Sequence, residues 1–190
     1  MWLARSWSRW GWPRCASWTS AATPVLERLA GSLGETVHLA VLEGSNVRYL
    51  DAVESPRALR VAARTGAMLA ASCTASGKAL LAELPDAEVA ALFPGPAALP
   101  RLTERSITSR PALLAELRKV RAAGCAVNTE ESEEGVASVA IAVRGRQHVP
   151  VAALVVSAPV SRMTGQVAEK VKNELREQAA WLEGQLPGAT

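Results

Sequence analysis

Two apolar runs in the second half of the chain, Val136 to Val143 and Val149 to Ser157, restrict the fold more than any other feature. Both are rich in β-branched residues, and only the polar stretch Arg144 to His148 separates them. Neither run alternates enough to leave one face in water, so they suit neighbouring central strands of an antiparallel sheet covered on both sides. Helices must then lie against each face.

The remaining patterns supply those helices and further strands. Thr23 and Pro24 suit a helix start, and Val25, Leu26, Leu29 and Leu33 recur at helical spacing until Gly34. Thr36 to Leu42 and Asn46 to Val53 read as a hairpin turning at Glu43 to Ser45, with a third strand over Leu59 to Ala63. A short helix is expected from Pro85 and Asp86 to Phe93, with a loop over Gly95 to Pro100. Ser109 and Pro111 open another helix, with Leu113, Leu114, Leu117 and Val120 inward and Gly124 closing it, and Cys125 to Asn128 is a short strand. Ser161 can cap a long last helix whose stripe is Val167, Val171, Leu175, Ala179, Leu182 and Leu186. The fold class is α+β, one central antiparallel sheet with helices on both faces. With 49% apolar residues the chain has material for a sizeable core.

Residues 1–22 differ from everything after them. Trp2, Trp7, Trp10, Trp12 and Trp18 crowd there without helical or alternating order, and Arg5, Arg9 and Arg14 supply the whole net charge of +3. Arginines interleaved with aromatics can stack on single-stranded nucleic acid. The composition better fits a linker helix read one base out of register, a leader that stands outside the fold. The domain proper spans residues 23–186, with 187–190 as a tail, and its balanced charge argues against a phosphate-binding surface. Cys15, Cys73 and Cys125 have no zinc-site spacing and read as reduced thiols. No stretch reaches the roughly 18 to 20 apolar residues of a membrane helix, so a cytoplasmic protein without a membrane partner is expected.

Chemistry centres on ThrAlaSerGlyLysAlaLeuLeuAla, Thr74 to Ala82. Ser72 or Thr74 can cap a helix whose free N–H groups at Ala75 and Ser76 make an anion site, and Gly77 permits close approach. On its own residues the stretch is a capped helix with Lys78 in solvent. It is not a nucleotide-phosphate loop, since Ser72 stands where the first glycine belongs and Ala79 where the metal-binding hydroxyl belongs. Glu130, Glu131, Glu133 and Glu134 around Ser132 read as an exposed turn, and Arg57, Arg60 and Arg64 as a solvated face. His38 and His148 have no cysteine or carboxylate at triad or metal spacing, so no metal and no cofactor are expected.

Five blocks occur in the order and spacing of the effector-binding domains of IclR-type transcriptional regulators: Thr23 to Ala30, Glu35 to Gly44, Thr74 to Ala82, Asn128 to Ala140 and Ala152 to Arg162. The chain resembles that family over roughly residues 23–186. The resemblance implies a GAF/PAS-like fold, a small organic effector often bearing a carboxylate, a homodimer or dimer of dimers, and operator DNA bound through an N-terminal winged helix-turn-helix. It carries the family's effector contacts onto Val61, Ala75, Ser76, Asn128, Ser138, Val155 and Ser157.

Departures from the family pattern sharpen the expectation. LeuAlaAlaSer, Leu69 to Ser72, replaces a histidine-ending segment, Asn128 a common aspartate, and Val155 the first serine of a pair, while Ser138 replaces a cysteine or polar residue. The implied pocket suits a largely neutral effector with at most one acidic group, at the helix terminus. The 60 to 80 residues, roughly, of a winged helix-turn-helix do not precede Thr23, so the chain as given is expected to bind effector and self-associate without reading an operator. Two alternatives stay open: a thiol-dependent enzyme using Cys73 and Cys125, and a dimerisation remnant that binds no ligand.

Overall fold

The two apolar runs become the strands that join the halves of the sheet. The computed structural model describes residues 15–95, 98–145 and 148–185. In chain order these form α1 (Cys15–Leu33), β1 (Thr36–Glu43), β2 (Asn46–Val53), β3 (Met68–Ala70), a 3-10 turn (Ala71–Cys73), α2 (Ala75–Ala82), α3 (Asp86–Leu92) and α4 (Arg110–Ala123). Then follow β4 (Ala126–Thr129), β5 (Val136–Arg144), β6 (Pro150–Pro159) and α5 (Gly165–Gln185). All neighbours in the single sheet, ordered β3-β2-β1-β6-β5-β4, run antiparallel. The α+β class expected from the sequence is the fold observed.

Each face of the sheet has its own core. Alternation along β1 sends Val37, Leu39 and Val41 to one side, where they meet Leu154 and Val156 of β6, Leu26 and Leu29 of α1, and Leu175 and Leu182 of α5. Burying each such leucine contributes about 1.5–3 kcal/mol. The opposite face carries Ala40, Ala140, Ala142 and Ala153. These small side chains let α2 approach the sheet closely, and all eight of its residues are buried.

That approach requires Gly77. A Cβ built there falls 2.1 Å from the Ala71 carbonyl oxygen and 2.4 Å from the Ala71 Cα, so the clash is with backbone. Gly77→Ala is expected to cost at least the roughly 1–3 kcal/mol typical of overpacking, because the 3-10 turn must shift. Urea denaturation checks this, and a loss under 0.5 kcal/mol, a loose bound for harmless substitutions, would mean α2 has slack.

Local signals placed most element ends. Ser109 caps α4 by accepting the Ala112 N–H at 3.4 Å, and Gly124 closes it in the left-handed region at φ 66°. Three expectations differ from the structure. The third strand is Met68–Ala70; Leu59 to Ala63 instead forms a strap, held where Val61 O accepts the Thr36 hydroxyl at 2.5 Å and Glu54 accepts the Ala63 N–H at 2.8 Å. α1 runs through Pro24, and the Thr23 hydroxyl donates to Asp51 at 3.2 Å rather than capping a helix. Of the leader, residues 1–14 lie outside the described residues. Lastly, α5 begins at Gly165, because Pro159 to Met163 makes a turn whose Arg162 reaches the buried Glu35 at 2.6 Å. Leu186 lies outside the described residues, and Val167 is exposed.

Candidate effector-binding site

Thr74 Oγ1 accepts the Gly77 N–H at 3.0 Å and so caps α2. The first two N–H groups, of Ala75 and Ser76, have no intrahelical acceptor, and the helix dipole adds positive potential there. α2 lies on β5, β6 and β1. Register then sets two rows of side chains on that face. One is Asn128, Ser138, Ser157 and Thr36; the next is Ala140, Val155, His38 and Ala52. A bulge between Leu39 and Ala40 lets Asp51 and Tyr49 pair with consecutive β1 residues, which keeps Tyr49 on the α2 side.

Ser138 and Ser157 hydrogen bond to each other at 3.0 Å. Ser76 Oγ lies 3.5 Å from Tyr49 Oη and donates to Thr74 at 3.4 Å. Val155 is buried two residues along β6, and Val61 covers the Thr36 end of the first row. Asn128 has a structural occupation: its Nδ2 donates to Cys73 O at 2.6 Å and its Oδ1 accepts the Glu131 N–H at 3.0 Å. The expected positions therefore share one side of the sheet around the start of α2, with Asn128 also bracing the turn before it.

His38 and Tyr49 share this side of the sheet, and the sequence expectation did not include them. Their rings meet edge-on, 5.1 Å between centroids. Neither ring nitrogen of His38 has a hydrogen-bond partner among the described residues, although the side chain is only 1% exposed. Burial lowers its pKa to about 4, the Arg64 charge adds to that, and the Ala62 backbone and Glu54 oppose. Burial raises the Tyr49 pKa, against opposing effects of Ser76 and Arg64. The only signal available in sequence was phase: His38 alternates with Thr36 and Ala40 on one face of β1.

Lys78 is not in solvent. Its stem is buried in α2, and Nζ donates to Val127 O at 2.7 Å and to Glu131 at 2.5 Å, with Glu116 at 3.7 Å. Burial pushes the Glu131 carboxyl above the usual carboxylate range despite that ammonium. The acidic segment is accordingly more than an exposed turn. Glu130 pairs with Arg105 and accepts the Gly135 N–H, Glu133 pairs with Arg64, and Thr103 and Ser106 donate to the Glu130 and Glu131 carbonyls. Arg57 and Arg60 are likewise paired, with Glu35 and Glu54.

Cys73 lies against the α2 side, donating to Pro100 O at 3.2 Å, whereas Cys125 belongs to the core of α1 and α5 on the other face. They form no dithiol pair, and no cluster of three metal-ligating side chains occurs among the described residues. No helix among those residues is long and apolar enough to cross a membrane.

The sequence profile of the family described as bacterial transcriptional regulator IclR, C-terminal, matches residues 17–183. The chain belongs to the IclR family. It is 39% identical over 147 residues to the probable transcriptional regulator SauR of Cupriavidus necator, covering 76% of this chain and 57% of that protein. This chain thus spans little more than half the length of that relative. The crystal structure of the C-terminal domain of E. coli KdgR superposes with a TM-score of 0.80 at 30% identity, covering 89% of this chain and 98% of that one. The inducer-binding domain of an Acinetobacter PobR double mutant, in complex with 3-hydroxybenzoic acid, gives a TM-score of 0.77 at 28% identity over 86% of this chain and 96% of that one. This chain corresponds to the C-terminal domain of IclR-type transcriptional regulators, and relatives such as SauR and KdgR are named as transcriptional regulators.

Proposed function

We propose that Ala75, Ser76, Ser138, Ser157, Val155 and Val61 enclose a site for a small organic effector bearing one acidic group. Asn128 frames it through the Cys73 carbonyl. The observation that carries this reading is that α2, whose first N–H groups have no intrahelical acceptor, packs on the two strands that bear the Ser138–Ser157 hydroxyl pair, over a floor of small residues. An acid group fits the helix terminus, and the apolar remainder fits Val61, Val155 and the alanines. A hydroxylated aromatic acid bound to the PobR inducer-binding domain supports that class. In the complete regulator, effector occupancy then changes operator binding by a separate DNA-reading region, and the domain self-associates as a dimer or dimer of dimers in the cytoplasm. The domain is no enzyme in this reading: Cys73 and Cys125 sit on opposite faces of the sheet and so build no thiol site.

Thermal-shift titration with small aliphatic and aromatic acids tests the site. A ligand at a hundredfold excess over its Kd stabilises by about 2.7 kcal/mol, which raises Tm by roughly 5 to 10 °C at this chain length. Ser157→Leu fills the space beside Ser138 and is expected to abolish the shift. No shift with any acid would return the domain to a dimerisation module without a ligand.

A further inference from the structure

A buried histidine in a finished core gives its N–H to a carbonyl or carboxylate. His38 does not. Its neighbours across the sheet, Val155 and Ala52, offer only their apolar side chains, and both ring nitrogens stay unpartnered. The two nearest charged groups are already engaged, Arg64 with Glu133 and Glu54 with Arg60. The imidazole edge packs on Tyr49, whose hydroxyl stands 3.5 Å from Ser76 at the start of α2. Polar groups therefore run from the helix terminus through Tyr49 to His38 over the reach of one small molecule.

We propose that His38, with the Tyr49 hydroxyl beside it, is a second polar subsite of the effector pocket, taking an uncharged hydroxyl or oxo oxygen of an effector whose carboxylate sits at the α2 N-terminus. This rests on the effector-site reading above. A neutral imidazole offers one donor and one acceptor, and a hydroxyl matches both, whereas a second carboxylate only accepts. The effector is thus a monoacid with one further oxygen function, rather than a diacid or a plain fatty or aromatic acid. Beside the acid site at the helix terminus, the pocket thereby gains a position that selects for that second oxygen.

The test uses matched probes: benzoate against 3-hydroxybenzoate, and propionate against lactate, titrated calorimetrically into the wild-type chain and His38→Leu. In at least one pair the hydroxylated acid is expected to bind about tenfold more tightly to wild type, or about 1.4 kcal/mol. His38→Leu should erase that preference while the ligand-free protein melts no lower than wild type, because no hydrogen bond of ordinary geometry is lost. A wild-type readout needs no variant: the chain has only two histidines, His38 and His148, so their imidazole nitrogen NMR signals are separable. The His38 pair should move with the hydroxylated acid of whichever pair shows the preference and stay with its parent acid. Equal binding within both pairs, a preference that survives in His38→Leu, or a ligand-free Tm several degrees below wild type overturns the subsite and leaves the acid site standing. Failure of all four acids to bind overturns both.

Discussion

Lys78→Ala is expected to lower the unfolding free energy by about 3–5 kcal/mol, the usual result of removing one partner of a buried ion pair. The substitution leaves the Glu131 carboxylate without the ammonium at 2.5 Å, orphans the Val127 carbonyl, and empties the channel filled by the lysine stem. Glu116, at 3.7 Å from the same nitrogen, is also an acid and gives no relief. Burial already raises the Glu131 carboxyl pKa, so part of the loss returns as that group takes a proton. The double variant Lys78→Met with Glu131→Gln should then recover most of the stability, since neither buried charge is left alone. Urea denaturation of the three proteins decides it: a Lys78→Ala loss below 1 kcal/mol, a loose limit typical of exposed pairs, would place this lysine with surface ion pairs.

The same pair links the start of α2 to its surroundings. Lys78 lies one turn beyond Ala75 and Ser76 on α2, and its partner Glu131 also donates its N–H to Asn128, which braces Cys73 ahead of the helix. The segment from Asn128 to Gly135 therefore fixes α2 at two points, and Arg64 adds a third tie from the strap through Glu133. At the proposed site, an effector would press on a helix whose position depends on these ties.

Elements whose causes are local were legible in the sequence. The β5 and β6 runs, the Ser109 cap and the Gly124 stop each depend on a few adjacent residues, and each formed where the sequence placed it. The third strand was not legible, because three residues, Met68 to Ala70, carry no alternation and pair only by continuing β2's edge. Pro24 reads as a first helical position, yet α1 accommodates it on an exposed face. The side-chain positions around α2 came from resemblance, since hydroxyls on separate strands leave no spacing to find. Lys78 and Glu131 stand 53 positions apart, and His38 matters only through a ring on another strand, so neither signal lies within any short window.

Stability should fall by up to about 3 kcal/mol between pH 6.5 and pH 4 through His38 alone, taking 1.36 kcal/mol per pKa unit. The folded pKa, about 4, lies below the ordinary histidine value of 6.5, so above pH 6.5 both states are neutral there and nothing is lost. As pH falls from 6.5 the unfolded chain binds the proton while the folded one, closed around His38 by Tyr49, Val155 and the strap, does not; the folded state weakens until the folded pKa is reached. Other groups are separable by window or sign. Glu54 and Glu169 are exposed and Asp86 partly so; the Ala63 N–H and Arg60 at Glu54, Arg121 at Asp86 and Lys172 at Glu169 hold their carboxyls low, so they weaken the fold only below their ordinary carboxylate range. Glu131, pushed up by burial, works the other way and favours the folded state as acid is added. Urea midpoints for wild type and His38→Leu at pH 7, 6, 5 and 4.5 isolate the histidine: the two lines should diverge from pH 6.5 downward, with the leucine variant the more stable. Parallel lines would mean that the folded protein admits a proton to His38, and with it a polar partner in the ligand-free state, which would remove the unsatisfied imidazole on which a second effector oxygen is expected to dock.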